Sequence, residues 1–266
     1  MPYRLRLRRC PLSNVLAIAH KELKAYFASP IAYVVIGLFA LVFGFFYYIG
    51  VAFFVQQSAQ MMGMQGGPTQ NVNEQVIRGL FLNASVILLF VLPMITMRTY
   101  SEEKRSGTIE LLLTSPLTDV EIIMGKFLGA MALYAAMLAV TLIHIGVLFA
   151  FGNPEWKPIV TSYLGLLLMG GAFIAVGLLI SSFTKNQIVA VMATFAVVLL
   201  GWVINWASTL AGPTGRAVLD YLGITNHLDD FTRGIIDTKH VVYYVSFIVF
   251  SLFLTARSVD SERWRG

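Results

Sequence analysis

The chain has 266 residues, of which 57% are hydrophobic and only 12% are charged. A water-soluble domain carries about a quarter charged residues, so this composition excludes a soluble enzyme and indicates an integral membrane protein. The net charge of +5 does not indicate a nucleic-acid partner, because the basic residues sit at the ends of apolar segments, where anionic lipid attracts them.

Six stretches are apolar enough to cross a membrane, since a spanning helix needs about 20 mostly apolar residues. They are Ile31–Val55, Leu80–Met97, Phe127–Phe151, Ile159–Phe183, Ile188–Ala211 and Val241–Ala256. The sequence therefore predicts an all-α integral membrane protein with six transmembrane helices. Its expected parts are an N-terminal segment (1–30), the six-span domain (31–256) and a tail (257–266).

Lysine and arginine are distributed unequally between the two sides of these spans. The side opposite the termini holds only five of the 19, namely Arg78, Lys157, Arg216, Arg233 and Lys239. Because cytoplasmic loops carry the excess of Lys and Arg, both termini are predicted to be cytoplasmic. An odd number of spans would place the basic C-terminal tail on the outer side, so the unequal distribution of Lys and Arg also favours six spans.

Asn14–Ser29 precedes the first span and has a pattern of its own. Apolar residues recur at helical spacing from Val15 to Phe27, with polar residues between them. This pattern predicts an amphipathic helix that lies in the cytoplasmic interface, with Ser13 or Asn14 as its N-cap. Pro30 then directs the chain into the membrane.

Two long loops are predicted on the outer side. The loop 56–79 is rich in Gln, Met and Gly, which is typical of a flexible connector. The loop 212–240 carries apolar residues at helical spacing, which indicates short helices at the outer leaflet.

No enzyme motif is evident. The pattern G-x-x-x-x-G-K-[ST] is absent, so no ATP site of that kind is expected, and the four histidines lack metal-ligand spacing. His144 and Asn205 are the main strongly polar residues within the spans. They either line a substrate path or proton relay or hydrogen-bond between helices, and hydrogen bonding is favoured because both are uncharged. The scarcity of charge within the spans argues against proton or sodium coupling.

The loop 98–126 carries the most information. Its charged first half is followed by the apolar residues Ile109, Leu112 and Leu113. An apolar patch rimmed by charge on a cytoplasmic loop indicates a docked protein partner. Packing beneath the chain's own spans is the alternative interpretation.

Capping patterns divide this loop into two predicted short helices. Ser106 is a suitable N-cap for a helix over Thr108–Leu113, which Pro116 would end. Thr118 or Asp119 can cap the next helix, and Glu121, two or three positions further on, nearly completes a capping box.

Tyr100–Lys126, with the sequence YSEEKRSGTIELLLTSPLTDVEIIMGK, resembles the hallmark cytoplasmic loop of ABC-2-type permeases. In that family the pattern E-x-x-x-G-T-x-E-x-L-L-x-[ST]-P precedes a G-K that opens the third span, and Gly125-x-x-x-Gly129 here also permits close helix packing. The stretches HKELKAYFASP and HLDDFTRGIID resemble the family's elbow helix and outer segment. The gliding-motility-type permeases are the most similar subfamily.

The resemblance implies a type V-like exporter fold in the bacterial inner membrane. This chain would be the membrane subunit, and two copies of a separate cytoplasmic ABC ATPase would hold ATP and Mg²⁺, so the chain itself would bind no cofactor. A second permease chain, identical or a paralogue, would complete a dimer, and some relatives also use an accessory membrane-anchored protein. The coupling helix would seat in a groove of the ATPase through Glu102, Glu103, Gly107, Thr108, Glu110, Leu112, Leu113, Ser115 and Pro116.

Related exporters move hydrophobic or amphipathic cargo along a dimer interface lined by the second and fifth spans, with Gly212–Asp237 as the equivalent of an exit gate. Candidates for that path are Phe81, Leu82, Trp202, Asn205 and Trp206. Ordinary helix packing or interfacial anchoring is the alternative for the aromatic residues. Two other function classes stay open, namely an intramembrane enzyme that uses His144 and a membrane scaffold that transports nothing.

Overall fold

The computed structural model describes residues 11–62, 71–210 and 212–263. These ranges contain no strand, and the predicted all-α fold is confirmed. A π-helical turn, Asn73–Ile77, precedes the third helix. The helices are α1 (Pro11–Ala28), α2 (Pro30–Met62), α3 (Arg78–Thr96), α4 (Ser101–Ser106), α5 (Thr108–Leu113), α6 (Asp119–Phe151), α7 (Trp156–Phe183), α8 (Gln187–Leu210), α9 (Pro213–Leu222), α10 (Asn226–Thr232) and α11 (Thr238–Arg263).

Six of these helices, namely α2, α3, α6, α7, α8 and α11, are long and apolar enough to cross a membrane, as predicted. Several are longer than expected. α2 continues to Met62, into the stretch predicted to be a flexible loop, and the π-helical turn leads directly into α3. Residues 63–70 of that loop lie outside the described residues.

α6 begins at Asp119, eight residues before the predicted start of its span. Thr118 is its N-cap, since its hydroxyl accepts the Glu121 N–H at 3.3 Å while the Glu121 carboxylate accepts the Thr118 N–H at 2.8 Å. The capping box was predicted correctly, but the separate short helix was wrong. No proline divides the box from the apolar run, so one helix continues through both.

α7 and α3 form the centre of the bundle. In their most apolar 18-residue stretches 72% and 61% of the residues are buried, against 17% in α2 and in α8. Glycines in α7 allow this packing, because a Cβ on Gly170 would overlap the Tyr134 ring and one on Gly177 would overlap Thr96. Small residues let membrane helices approach closely.

The alternation of the six spans creates two faces. We call the one that carries α1, α4, α5 and the start of α6 the α1 face. The opposite one, which carries α9 and α10, is the α10 face. The short helices predicted within 212–240 are therefore present.

Candidate functional site

The α4–α5 segment (Ser101–Leu113) consists of two short helices that meet at Gly107. Gly107 has a φ of +74°, in the left-handed region that glycine adopts most readily, and it ends α4. Ser106 is the last residue of α4, and its hydroxyl donates to the Glu102 carbonyl at 2.8 Å. The prediction that Ser106 caps α5 was therefore wrong, because the charged run before Gly107 is itself helical.

The N-terminus of α4 is capped by a side chain from α7. Ser181 Oγ accepts the backbone N–H of Tyr100 at 3.0 Å and that of Ser101 at 3.1 Å. All three residues are fully buried. The first N–H groups of a helix need acceptors, so this contact ties the α4–α5 segment to the central helix.

Lys126, near the start of α6, joins two further helices and the turn before α4. Its Nζ lies 2.7 Å from Glu103 Oε1 in α4 and 3.2 Å from Glu22 Oε1 in α1, and it donates to the Thr99 carbonyl at 2.8 Å. The Lys126 side chain is only 1% exposed. A buried ammonium is costly unless it is paired and hydrogen-bonded, and here each of its three N–H groups has an acceptor.

α1 packs closely on α6 across two glycines. A Cβ on Gly125 would lie 2.6 Å from Ile18 Cβ, and one on Gly129 would lie 2.7 Å from Glu22 Cβ. The glycine pair therefore does allow close helix packing. The apolar stripe of α1, predicted to face the membrane interface, packs on the chain itself, and the predicted caps at positions 13 and 14 lie inside a helix that begins at Pro11.

The predicted coupling residues divide into an internal and an external group. Glu103 faces inward to Lys126. Ile109, which was predicted to belong to the exposed apolar patch of this loop, is only 8% exposed, which matches the alternative of packing beneath the spans. Leu111 is 73% exposed, although it was not among the predicted contacts. The side chains of Leu112 and Leu113 lie outside the described residues. Ser115 is half-buried, and the exposed members are Glu102, Gly107, Thr108, Glu110 and Pro116.

A family model described as "ABC-2 family transporter protein" matches residues 55–205, more than half of the chain. The chain belongs to this ABC-2 family. Among its curated relatives is the "Probable multidrug ABC transporter permease YbhR" of Escherichia coli (strain K12), which is 26% identical over 189 residues, 65% of this chain and 50% of the relative. The protein of the same name from Escherichia coli O157:H7 matches to the same extent. The chain spans about half the length of these relatives, and the gliding-motility subfamily stays a prediction.

The predicted substrate-path residues of this ABC-2 chain differ in how far they are buried. Phe81 is fully buried, with its ring edge-on to Tyr163 at a centroid distance of 4.9 Å. Leu82 and Trp202 are half-buried against the core, and the side chain of Trp206 lies outside the described residues. A path role for these residues stays a prediction.

Asn205 instead joins α8 to the loop before α10. Its amide donates to Thr225 Oγ1, and close by the Ile224 N–H donates to the Gly201 carbonyl at 3.4 Å. This is the hydrogen bonding between elements that was favoured for Asn205.

His144 makes a different contact from the one expected. Its ring packs edge-on against Phe43 and Tyr47, each at a centroid distance of 5.6 Å. Gly44 provides the space, since a Cβ there would lie 2.7 Å from Nε2. His144 Nδ1 is buried with no hydrogen-bond partner in the described part of the chain, so the predicted interhelical bond is not formed by that atom.

On the α10 face, Asp229 holds two arginines. Its carboxylate lies 2.7 Å from the Arg78 guanidinium at the start of α3 and 2.9 Å from that of Arg233. Arg78 and Asp229 are 151 positions apart, so nothing local in the sequence indicated this pair.

Two histidines meet in the same region of this ABC-2 chain. His227 Nδ1 lies 2.6 Å from His240 Nδ1, and His240 Nε2 lies 2.7 Å from Asp230 Oδ2. His227 Nε2 is 2.8 Å from the Tyr221 carbonyl oxygen, and its ring stacks on Tyr243. Burial lowers the pKa of His227 from its ordinary value of 6.5, which favours the neutral ring.

Sequence reasoning missed Lys126, Glu22 and Ser181 as parts of the site. A signal existed for Lys126, because a lone lysine between Gly125 and an apolar run is an unusual charge at the start of a span. Ser181 offered none, since serine is common in membrane helices.

Proposed function

We propose that this chain is the membrane permease subunit of an ABC exporter and that its α4–α5 segment docks on a separate cytoplasmic ATPase. The observation that carries the proposal is a segment with exposed Leu111 and Glu110 on one side and buried anchors, Lys126 and Ser181, on the other. Family membership supports the class of the partner. ATP and Mg²⁺ would be bound by two copies of that partner.

The anchors support a mechanism for transmitting work. A displacement of α5 moves α4, to which α5 is joined at Gly107. The Glu103–Lys126 ion pair then transmits the displacement to α6, and the hydrogen bond from the Tyr100 N–H to Ser181 transmits it to α7. α1 moves with α6, because the two pack at van der Waals distance along Gly125 and Gly129. Rigid-body motion of packed helices is a common form of such switches.

In this proposal the α1 face is cytoplasmic, as are both termini, and the membrane is the bacterial inner membrane. The excess of Lys and Arg on the terminal side of the spans supports the orientation. The opposite α10 face, with α9 and α10, would form the exit gate.

The cargo is proposed to be hydrophobic or amphipathic and to move between two permease chains. The word "multidrug" in the relatives' name supports this class of cargo. α2 and α8 are the most exposed spans, with Leu41 69% and Leu200 65% exposed, so their apolar faces need lipid or a second chain.

The test is affinity purification of the tagged full chain from its native membrane in mild detergent. We expect a stoichiometric ATPase, recognised by its G-x-x-x-x-G-K-[ST] sequence in mass spectrometry and by ATP hydrolysis. Leu111→Asp and Glu110→Arg should remove it without reducing the amount of inserted chain.

Val218→Asp is the matched control, because Val218 is also an exposed apolar residue, at 56%, but lies on the α10 face. It should retain the ATPase. Normal association in both α5 variants would refute the docking surface, and an ATPase whose hydrolysis never responds to any amphiphile would favour the scaffold interpretation.

A further inference from the structure

A cleft of about 450 Å³ opens on the α1 face between α1, the end of α3 and α4. Its apolar lining includes Ala25 and Ala28 of α1, Ile31 at the start of α2 and Met94 near the end of α3. The last two belong to membrane-spanning helices, so the cleft reaches from the loop region into the end of the bundle.

The wall of the cleft is fixed rather than loosely packed. Tyr26 lines it, and the Tyr26 hydroxyl donates to the Ile95 carbonyl of α3 at 3.1 Å. Burial raises the pKa of Tyr26 well above its ordinary value, so the hydroxyl keeps its proton for this bond.

The charged lining of the cleft has both signs. Lys21 and Arg98 supply two cations, and Glu22, Glu102 and Glu103 supply three anions. Behind them the buried Lys126 ammonium pairs with Glu22 and Glu103. With that ammonium included the formal charges balance, so the electrostatics favour neither a simple anion nor a simple cation.

Two polar atoms of the lining have unused hydrogen-bonding capacity. Arg98 Nε and Glu103 Oε2 are buried and have no hydrogen-bond partner among the described residues. The nearest ion pair of Arg98 is long, at 3.9 Å from Glu102 Oε2. A buried donor and a buried acceptor left unpaired each cost free energy that a bound group of opposite character would recover.

We propose that this cleft binds a zwitterionic amphiphile whose head group carries a phosphate and a primary ammonium, as phosphoethanolamine does. The phosphate accepts hydrogen bonds from the Arg98 guanidinium and Lys21, and the ammonium donates to Glu102 and Glu103. The acyl chain follows the apolar floor at Ala25 and Met94 towards the membrane. A purely anionic lipid could use the Arg98 and Lys21 donors but would bring no donor for Glu102 and Glu103 Oε2, which disfavours it.

This inference does not rest on transport, because a resident membrane lipid and a transported amphiphile present the same head-group chemistry. The full chain is purified in detergent, freed of lipid, and titrated with phosphatidylethanolamine or phosphatidylglycerol under native mass spectrometry. Phosphatidylethanolamine should bind more tightly, and soluble O-phosphoethanolamine should compete with it.

Ala25→Trp fills the cleft without changing its charge, and it should weaken phosphatidylethanolamine binding about tenfold, the equivalent of one lost charge-assisted bond. Ala17→Trp is the matched control, because Ala17 is exposed on the same helix but does not line the cleft. If the tryptophan variant misfolds, Arg98→Gln tests the same site. This variant should fold, since it removes only a long and partly exposed ion pair, and it should weaken phosphatidylethanolamine binding to a similar extent.

Equal binding of the two lipids, or equal binding by Ala25→Trp and Ala17→Trp, would overturn the proposal. The source of the head group is decided separately, in vesicles that contain the chain with its ATPase and labelled phosphatidylethanolamine. ATP-dependent movement of the label between leaflets would identify a transported amphiphile, and binding without movement would identify a resident lipid. Both results support the site, whereas the absence of phosphatidylethanolamine binding in these vesicles would overturn it.

Discussion

Lys126 Nζ and Glu103 Oε1 lie 2.7 Å apart in the fold, although the two residues are 23 positions apart in the sequence. The Lys126 side chain is 1% exposed and that of Glu103 is 15% exposed, so the pair is largely shielded from solvent. The α4–α5 segment therefore cannot move away from α6 without breaking a buried ion pair. In the proposed exporter this pair would connect the ATPase-facing segment to the bundle.

Replacement of the buried ammonium should destabilise the chain strongly. Lys126→Met leaves Glu103 and Glu22 with only the exposed Lys21 ammonium beside them, and breaking a buried pair costs about 3–5 kcal/mol. Thermal unfolding in detergent should show a clear loss, which Glu103→Gln in the same chain should partly restore.

Lys21→Met is the control for that experiment. Lys21 approaches the same two carboxylates, at 3.5 Å from Glu22 and 3.7 Å from Glu103, but its side chain is 63% exposed. Exposed pairs contribute little, so its unfolding temperature should stay near the wild-type value. Equal losses in the two lysine variants would contradict the role assigned to burial.

A methyl group on Gly125 should disturb the packing of α1 against α6. Gly125→Ala places a Cβ 2.6 Å from Ile18, and overpacking of this kind costs about 1–3 kcal/mol. We expect a lower unfolding temperature and faster proteolysis within α1. Gly146→Ala in the same helix meets nothing within 4 Å and should be neutral or slightly stabilising.

Loss of the Ser181 hydroxyl should loosen the start of α4. Ser181→Ala removes the acceptor of two buried N–H groups, those of Tyr100 and Ser101, at a cost of about 1 kcal/mol. Hydrogen exchange should accelerate at residues 100–106. Ser246→Ala is a suitable control, because that hydroxyl donates to the Tyr243 carbonyl within its own helix. An identical exchange pattern in the two variants would count against the cap.

The α10 face should lose stability in acid through His227. Burial lowers its pKa below the ordinary 6.5, so the unfolded state binds the proton more readily than the folded state. The stabilisation is complete above about pH 6.5 and is lost as the pH falls through the folded-state pKa. The hydrogen-exchange protection of α9 and α10, corrected for the slower intrinsic exchange at lower pH, should therefore decrease from about pH 7.5 to about pH 5.5.

His227→Gln should flatten that pH response, while His20→Gln on the exposed surface of α1 should leave it unchanged. His240, Asp230 and Lys239 also act on His227 electrostatically. If the pH dependence of hydrogen exchange persists in full in His227→Gln, it arises from those neighbours and not from His227.

Local features of the sequence predicted much of the fold. These features were the six apolar runs, the Thr118–Glu121 capping box and the helical spacing within 212–240. Each predicted a helix that is present, because each depends only on residues a few positions apart. The motif around Gly107 was also visible in the sequence, but the helix α4 that this glycine ends was not predicted.

By itself the sequence determined an all-α membrane chain with six spans and an ABC-2 loop, because lipid requires long apolar helices and those are encoded contiguously. Only the tertiary structure decided that Ile109 faces inward while Leu111 faces outward, that α1 covers α6, and that Lys126 is paired with Glu22 and Glu103. These outcomes depend on which distant helices meet, since neighbours in space set the free energy of burying a methyl group or a charge.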